Sequence, residues 1–283
     1  MNMKKCLFLS GVLGTVIAFN QTAYAEAEPA ATIEPTPSYT IDYNLGLYSN
    51  YMFRGTALSD GPALQGGIDL THNSGFYVGT WFSNIDTNYA GRGDGFSDGN
   101  RWEVDLYGGY LHTFDNGIGL NFLGNYYGYP QGEHSYNEAN KGHKQDTFEA
   151  SVGISYQGLT YTYYRALTDY YGADNNNGTK SRDTKGADYN EIKFKYKLPV
   201  ADLNLDAKVG YQNTRHLNGD QGDFLIGLNR DFSLPLGSKA IDGFNAGGYF
   251  TSTFDVQDES YYVAADGRDV NKNRLTLFVK RTW

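Results

Sequence analysis

Four lysines, three of them at every second position, are the residues best suited to act on a charged solute. They alternate with apolar residues in one segment and recur in the next: Lys193, Lys195, Lys197 and Lys208. Because side chains alternate between the two faces of a β-strand, these lysines share one face if both segments are strands. Pairing the segments across residues 199–202 sets Lys195 opposite Asp206 and Lys193 opposite Lys208. Ammonium groups concentrated on the wall of a pore would guide anionic groups of a solute.

A second set of charged residues is predicted to share that interior. It occupies the polar faces of other alternating segments and of the lysines' partner segment: Arg101, Glu103, Asp105, Glu149 and Asp206. Acids and bases are nearly equal in number on the predicted inward faces, so the interior as a whole predicts weak ion selectivity. The alternative to a guiding role for the lysines is that they only balance these acids.

Catalytic and metal-binding motifs are weak. His72 and Ser74 have the spacing of a barrel lipid hydrolase, but they fall in a predicted turn, where no oxyanion hole is expected. Residues 94–99 resemble part of a calcium loop, but Phe96 occupies a ligand position. The Arg-Gly-Asp triplet at 92–94 arises easily by chance. The other histidines have no metal-ligand spacing: His112, His134, His143 and His216. We predict no enzyme activity, no metal and no cofactor.

The N-terminus has the three parts of a cleavable secretory signal. Lys4 and Lys5 precede an apolar run over residues 6–19, and a small-residue cleavage site ends at Ala25. Cleavage there would remove Cys6, the single cysteine, so the mature chain could not depend on disulfides. It would keep 21 basic residues (23 − 2) against 32 acidic ones, a net charge of −11. This charge argues against a nucleic-acid partner.

The remainder of the chain is predicted to place the charged residues on strands. Its 35 Gly, 25 Tyr and 16 Phe favour short strands joined by tight turns. Apolar and polar residues alternate in segments of about ten residues, the length with which a tilted strand crosses a bilayer. We predict a signal peptide over 1–25, a flexible periplasmic tail over 26–40 and an all-β domain over 41–283. This domain is a closed antiparallel transmembrane β-barrel.

The alternating segments predict about twelve strands: 41–53, 63–71, 76–86, 101–112, 118–128, 146–156, 159–169, 189–198, 203–213, 223–232, 244–254 and 273–283. Short connections alternate with longer polar ones, which is typical of periplasmic turns and extracellular loops. Two connections fit less well, because 214–222 is short for a loop and 233–243 is long for a turn. A soluble β-sandwich would also alternate, but aromatic residues near the ends of the apolar faces favour a membrane barrel.

The last strand is predicted to carry an assembly signal. Its outward row is apolar and ends on an aromatic residue: Leu275, Leu277, Val279 and Trp283. Outer-membrane barrels present such a strand to their insertion machinery, which this segment resembles. Arg281 departs from the pattern, because it occupies a position that is usually apolar.

Two further placements can be tested directly. The first strand is predicted to continue to Phe53, with Tyr51 and Phe53 facing lipid and Arg54 facing inward. Arg165 is predicted on the lipid face of its strand, where a bare arginine costs about 2–4 kcal/mol at the bilayer midplane. It therefore either reaches the outer headgroup phosphates or is turned inward by a bulge.

Several motifs together resemble the TorF-type putative porin family. They are the segments that run from Leu47 to Gly55, from Pro62 to Gly67, from Ser74 to Trp81 and from Glu103 to Tyr110. The likeness extends over essentially the whole mature chain. It implies an outer-membrane barrel that acts as a porin, without a substrate or site residues that can be carried over.

These observations predict a channel in the outer membrane of a Gram-negative bacterium. It would conduct small hydrophilic solutes, including anionic ones, by passive diffusion through a narrow lumen. Its expected partners are outer-membrane lipid, lipopolysaccharide and the insertion machinery. The alternatives are a non-conducting surface barrel for adhesion or assembly and, third, a barrel lipid hydrolase.

Overall fold

The alternating segments are strands of one closed sheet in the computed structural model. The structure describes residues 38–86, 101–130, 132, 144–173, 183–264 and 267–283. The predictions made for the signal peptide, for most of the tail, for residues 92–99 and for His134 and His143 lie outside these residues. In the described part, no helix is both long and apolar enough to cross a bilayer.

Twelve strands of the described chain form the barrel, each antiparallel to its neighbours. They are β1 (Tyr39–Tyr48), β4 (Ala63–His72), β5 (Phe76–Asn84), β6 (Trp102–Thr113), β7 (Gly119–Gly128), β8 (Thr147–Tyr156), β9 (Leu159–Ala166), β10 (Asp188–Lys197), β11 (Leu203–Asn213), β12 (Gln221–Leu236), β13 (Lys239–Phe254) and β14 (Arg274–Thr282). Two short strands, β2 (Tyr51–Phe53) and β3 (Thr56–Ser59), form a separate hairpin. β1 pairs with β14 and closes the barrel.

The two faces of the wall differ as the alternation predicts. Large apolar side chains such as Leu47, Leu106 and Ile192 are exposed on the outer face. Charged side chains such as Glu103 and Glu149 are buried on the inner face. A closed sheet leaves no unpaired edge, and an apolar outer face meets hydrocarbon without cost. The fold is therefore that of a transmembrane β-barrel.

The two rims differ in the length of their connections. The rim with short turns, here called the turn rim, includes the two-residue turn Gln157-Gly158 and the turn between β10 and β11. The opposite rim, the loop rim, has the longer connections. The expected long turn at 233–243 is wrong, because β12 continues to Leu236 and β13 begins at Lys239. Their hairpin turns through Gly237, whose φ of 61° suits a residue without a Cβ.

We predict that the loop rim faces the cell exterior. A Ser260→Cys variant should react with a membrane-impermeant thiol reagent on intact cells, because Ser260 is exposed in the connection between β13 and β14. A Val200→Cys variant should stay unlabelled, because Val200 is exposed in the turn between β10 and β11. Labelling of position 200 without labelling of position 260 would mean that the barrel has the opposite orientation.

The barrel closes on its C-terminal residue. Trp283 exchanges two backbone hydrogen bonds with Tyr43, at 2.9 and 3.0 Å, and the two rings stack with centroids 6.3 Å apart. Arg281 lies over the rings of Phe244 and Trp283, at 5.3 Å from each centroid. This position at the turn rim explains how an arginine is accommodated in an otherwise apolar row. Leu275, Leu277 and Val279 are exposed on the outer face, as predicted.

The largest departure from the sequence prediction is at the end of the first strand. β1 ends at Tyr48, and the chain then turns into the lumen instead of continuing along the wall. Tyr51 and Phe53 are buried inside the barrel and do not face lipid. Arg54 and Gly55 form the turn between β2 and β3, with φ values of 46° and 78°. Positive φ at both central residues is what a tight two-residue hairpin requires.

Candidate functional site

The lumenal hairpin, β2 with β3 and its turn, fills the loop-side half of the barrel. Its residues from Tyr51 to Ser59 are all buried, on both faces of the hairpin. The ring of Tyr51 contacts Trp81 edge-on, with centroids 5.5 Å apart, and the ring of Phe53 contacts Tyr127 at 5.8 Å. On the other side, Met52 and Ala57 pack in a cluster with Leu225, Tyr249, Tyr262 and Val270. The hairpin therefore touches opposite walls of the lumen.

Arg54 fastens the tip of this hairpin to the wall. Its guanidinium donates to both carboxylate oxygens of Glu149, at 2.9 and 2.7 Å, and to Oε1 of Gln212 at 2.9 Å. It also lies over the rings of Tyr164 and Tyr189, at 5.0 and 4.4 Å from their centroids. Arg54 and Glu149 are both almost fully buried. A bidentate pair of this kind fixes the tip in position and direction.

The acidic residues predicted to line the lumen do point inward, but the hairpin covers all of them except Asp206. Glu103 accepts hydrogen bonds from the hydroxyls of Tyr51 and Tyr129, at 3.0 and 2.9 Å. Asp105 accepts one from the amide of Asn125 at 3.3 Å, and its Oδ1 is buried without a hydrogen-bond partner. These carboxylates lie beneath the hairpin and are not exposed to lumenal water. Arg101 is outside the wall, because β6 begins at Trp102 and Arg101 is exposed at the loop rim.

The lysine row faces the lumen in the register that the sequence predicts. Lys195 is opposite Asp206, and Lys193 is opposite Lys208. Side-chain exposure is 5% at Lys208, beside the hairpin, 25% at Lys193, 21% at Lys195 and 60% at Lys197 near the turn rim. The turn-side half of the lumen is thus the part that water reaches.

Each lysine of the row has a carboxylate neighbour. Lys193 contacts Glu191 at 2.7 Å, and Lys195 contacts Asp206 at 3.6 Å. Lys208 contacts Asp223 at 2.9 Å and Glu191 at 4.0 Å. Lys197 is 3.7 Å from Asp202, with both side chains largely exposed. The row is therefore a series of ion pairs and not an uncompensated basic strip.

Lys280 also faces the lumen, although the sequence did not single it out. Lys280 belongs to β14 and helps to line a cavity of about 20 Å³ together with Asp206, Asn229 and Asn245. That volume holds about one water molecule, and the lining offers enough polar partners for it. The signal was present in the sequence, because Lys280 has the polar phase of the last alternating segment.

The residues that suggested other chemistry are at the rims. His72 Nδ1 and Ser74 Oγ are 2.7 Å apart and exposed, in the turn between β4 and β5 that the sequence predicts. His112 is on the last turn-side stretch of β6 and stacks edge-on against Phe114 at 4.5 Å. In the described ranges, no group of three His, Cys, Asp or Glu side chains is placed to hold a metal ion.

The fold and the lumen define a transmembrane barrel whose interior is polar and whose loop-side half is filled by its own hairpin. The family comparison is consistent with a single unit of this kind. Residues 32–283 match the model of the Gcw_chp family, described as bacterial proteins of unknown function, and the chain belongs to that family. A search of curated proteins found no match.

Solved barrels are similar to this chain in fold. The KdgM porin shares 8% identity at a TM-score of 0.44, over 86% of this chain and 98% of its own. An outer membrane channel from Pseudomonas putida F1 shares 12% identity at a TM-score of 0.48, over 91% of this chain and 100% of its own. Likenesses this distant do not extend to function, and the TorF-type resemblance stays a prediction.

Proposed function

We propose that the protein is an outer-membrane channel for small hydrophilic solutes, including anionic ones, and that the lumenal hairpin is its closed gate. The observation that carries this proposal is the division of the lumen into two halves. The turn-side half is lined by partly exposed ion pairs, which a barrel serving only as an anchor does not need. The loop-side half is filled by a segment that belongs to a connection and not to the wall.

In this proposal the hairpin moves between a closed and an open position. Its tip is held by the buried ion pair of Arg54 with Glu149 and its second strand by a backbone hydrogen bond from Ala57 to Val270, while its ends continue into β1 and β4. Opening breaks these contacts. Bound in the lumen, it buries aromatic side chains, which favours the closed state. Displaced toward the loop rim, it would uncover Glu103, Asp105 and Glu149 and join both halves of the lumen. Those acids would then line the permeation path as the sequence predicts.

Planar-bilayer conductance tests this proposal. Replacement of residues 50–60 by a Gly-Ser linker of equal length should turn a mostly closed protein into one with frequent current steps, because the linker cannot refill the loop-side half. Heat-modifiable migration on gels would show that the variant is folded. A folded linker variant that never conducts would contradict the channel.

A second candidate function is favoured by the filled lumen. A barrel that is permanently closed could present its loop-rim connections for adhesion or assembly and would need no conducting path. Removal of the hairpin would open the barrel under either candidate, so the intact protein distinguishes them: only the gated channel shows current steps while its hairpin is in place.

The lysine row is proposed to offset the inward acids in the open channel and so to let anionic solutes pass. A triple Lys193→Gln, Lys195→Gln, Lys197→Gln variant removes three positive charges and leaves Glu191 and Asp206 in place. The three substitutions are made in the conducting linker variant. In a salt gradient, the reversal potential should then shift toward cation preference relative to the linker variant with its lysines intact. Arg230→Gln, which removes an exposed charge from the outer wall, is the matched control and should leave the potential unchanged. If the reversal potential of the triple variant is unchanged, the lysines do not lie in the permeation path.

A further inference from the structure

Two arginines converge on the outer wall at the loop rim, away from the lumen. Arg165 is near the end of β9, and Arg215 lies in the connection between β11 and β12. We propose that Arg165 and Arg215 form a binding site for the phosphate group of an outer-leaflet lipid. The inference rests on placement in the outer membrane, but it does not depend on conduction through the lumen.

The position of Gly186 shows how close the two side chains are. An ideal Cβ on Gly186 would lie 2.8 Å from Nη2 of Arg165 and 2.8 Å from Nη1 of Arg215. The two guanidinium nitrogens are therefore at most twice that distance, 5.6 Å, apart. Because residue 186 is a glycine, with a φ of 90°, the space between them is not filled by a side chain. A phosphate oxygen in van der Waals contact with Gly186, outside the backbone, could accept from both guanidinium groups.

Neither arginine forms a salt bridge within 4.0 Å in the described part of the chain. Arg165 donates to the hydroxyl of Tyr163 at 3.2 Å, and Arg215 donates to the backbone carbonyl of Lys185. Both acceptors are neutral. Asp188 is the cross-strand neighbour of Arg165, and its Oδ1 accepts from the amide of Asn190 at 3.2 Å. Its carboxylate attracts both arginines but contacts neither, so one acid faces two positive charges. Two like charges held together without a bridging acid attract an anion.

The depth of the pair in the membrane identifies the kind of anion. Arg165 is exposed on the outer face of β9, in the same phase as Leu159 and Tyr161, which are exposed toward the turn rim. The apolar belt therefore ends just below the arginines. The phosphates of a lipid headgroup lie at that boundary, with the acyl chains along the belt. Asp220, in the same connection as Arg215, accepts from the backbone N–H of Thr214 at 2.7 Å.

Lipid binding to the folded protein in zwitterionic micelles tests the proposal. Native mass spectrometry would measure binding of a diphosphorylated glycolipid to the parent and to the Arg165→Gln, Arg215→Gln double variant. We expect at least about tenfold weaker binding in the double variant, because two charge-assisted hydrogen bonds are lost. Arg230→Gln, which removes a single arginine from the outer wall, should bind like the parent. Equal binding by parent and double variant would overturn the site.

Two further arms identify the source of the phosphate. The same glycolipid without phosphate groups should bind equally weakly to parent and double variant. Inorganic phosphate should compete only at concentrations far above those of the lipid, and efficient competition would contradict a lipid site. Gel migration verifies that the double variant is folded. None of these experiments measures current. Absence of lipid binding would therefore not contradict the channel proposal, and absence of current would not contradict the lipid site.

Discussion

An Arg54→Gln variant is expected to open the channel. The substitution removes the cation that pairs with Glu149 and leaves a carboxylate buried beneath the hairpin. Loss of one partner from a buried ion pair costs about 3–5 kcal/mol. If that cost falls on the closed position, the ratio of closed to open molecules decreases more than about a hundredfold, since about 1.4 kcal/mol is tenfold. The open fraction in planar bilayers measures the change.

A double variant separates the ion pair from general damage. Arg54→Gln with Glu149→Gln removes both charges and leaves two amides of similar size that can hydrogen-bond to each other. It should return the open fraction most of the way to that of the parent, whereas a merely misfolded hairpin would not recover. The idea that Arg54 holds the gate would fail if the single variant stayed as closed as the parent.

Removal of Trp283 is expected to have the largest effect on assembly. The deletion takes away two backbone hydrogen bonds to Tyr43 and a stacked ring at the closing strand pair. At about 1 kcal/mol for each of these three contacts, the closing pair loses about 3 kcal/mol. The apolar row ending in Trp283 is also the segment proposed to be recognised by the insertion machinery. The yield of heat-modifiable barrel in outer membranes should decrease strongly.

The control is Trp283→Phe, which keeps an aromatic ring and both backbone bonds and should assemble nearly as well as the parent. Refolding in detergent distinguishes the two contributions, because only the loss of strand pairing affects folding without the cellular machinery. A normal yield from the Trp283 deletion in cells would contradict the assembly role of the C-terminal strand.

The strands of the barrel wall could be predicted because they depend on local features of the sequence. Alternation reports which face meets lipid, and a tight turn fixes the register of the strands it joins, so the pairing of Lys195 with Asp206 followed from the sequence. The β12–β13 hairpin was less predictable. Polar residues, Pro235 and Gly237 together indicate a long turn, although both strands continue as a pair to Leu236 and Lys239.

The lumenal hairpin could not be predicted from alternation. Tyr51 and Phe53 keep the apolar phase of β1, so a strand that continues along the wall and a strand that turns inward have the same pattern. The three consecutive residues Tyr51–Phe53 are all buried, because both faces of this strand pack against the inner wall of the barrel. One local signal was available, since Arg54-Gly55 can adopt the two positive φ values of a tight turn. The burial of Glu103 and Asp105 depends on the hairpin, so it could not be predicted from alternation either.

A reversible cross-link between the hairpin and the wall is the most direct test of the gate. An ideal Cβ on Gly55 lies 2.6 Å from Cγ2 of Thr253 on β13, so cysteines at 55 and 253 are close enough for a disulfide. Its formation requires the turn to shift, because position 55 has a φ of 78° and its Cβ would also lie 2.8 Å from Cβ of Asp223. The cysteine pair belongs in the Arg54→Gln background, where current is expected. The oxidised protein should be nearly silent, and a reductant should restore the current of the Arg54→Gln parent. Equal currents before and after reduction, with the cross-link verified by mass, would contradict the proposal that this hairpin closes the channel.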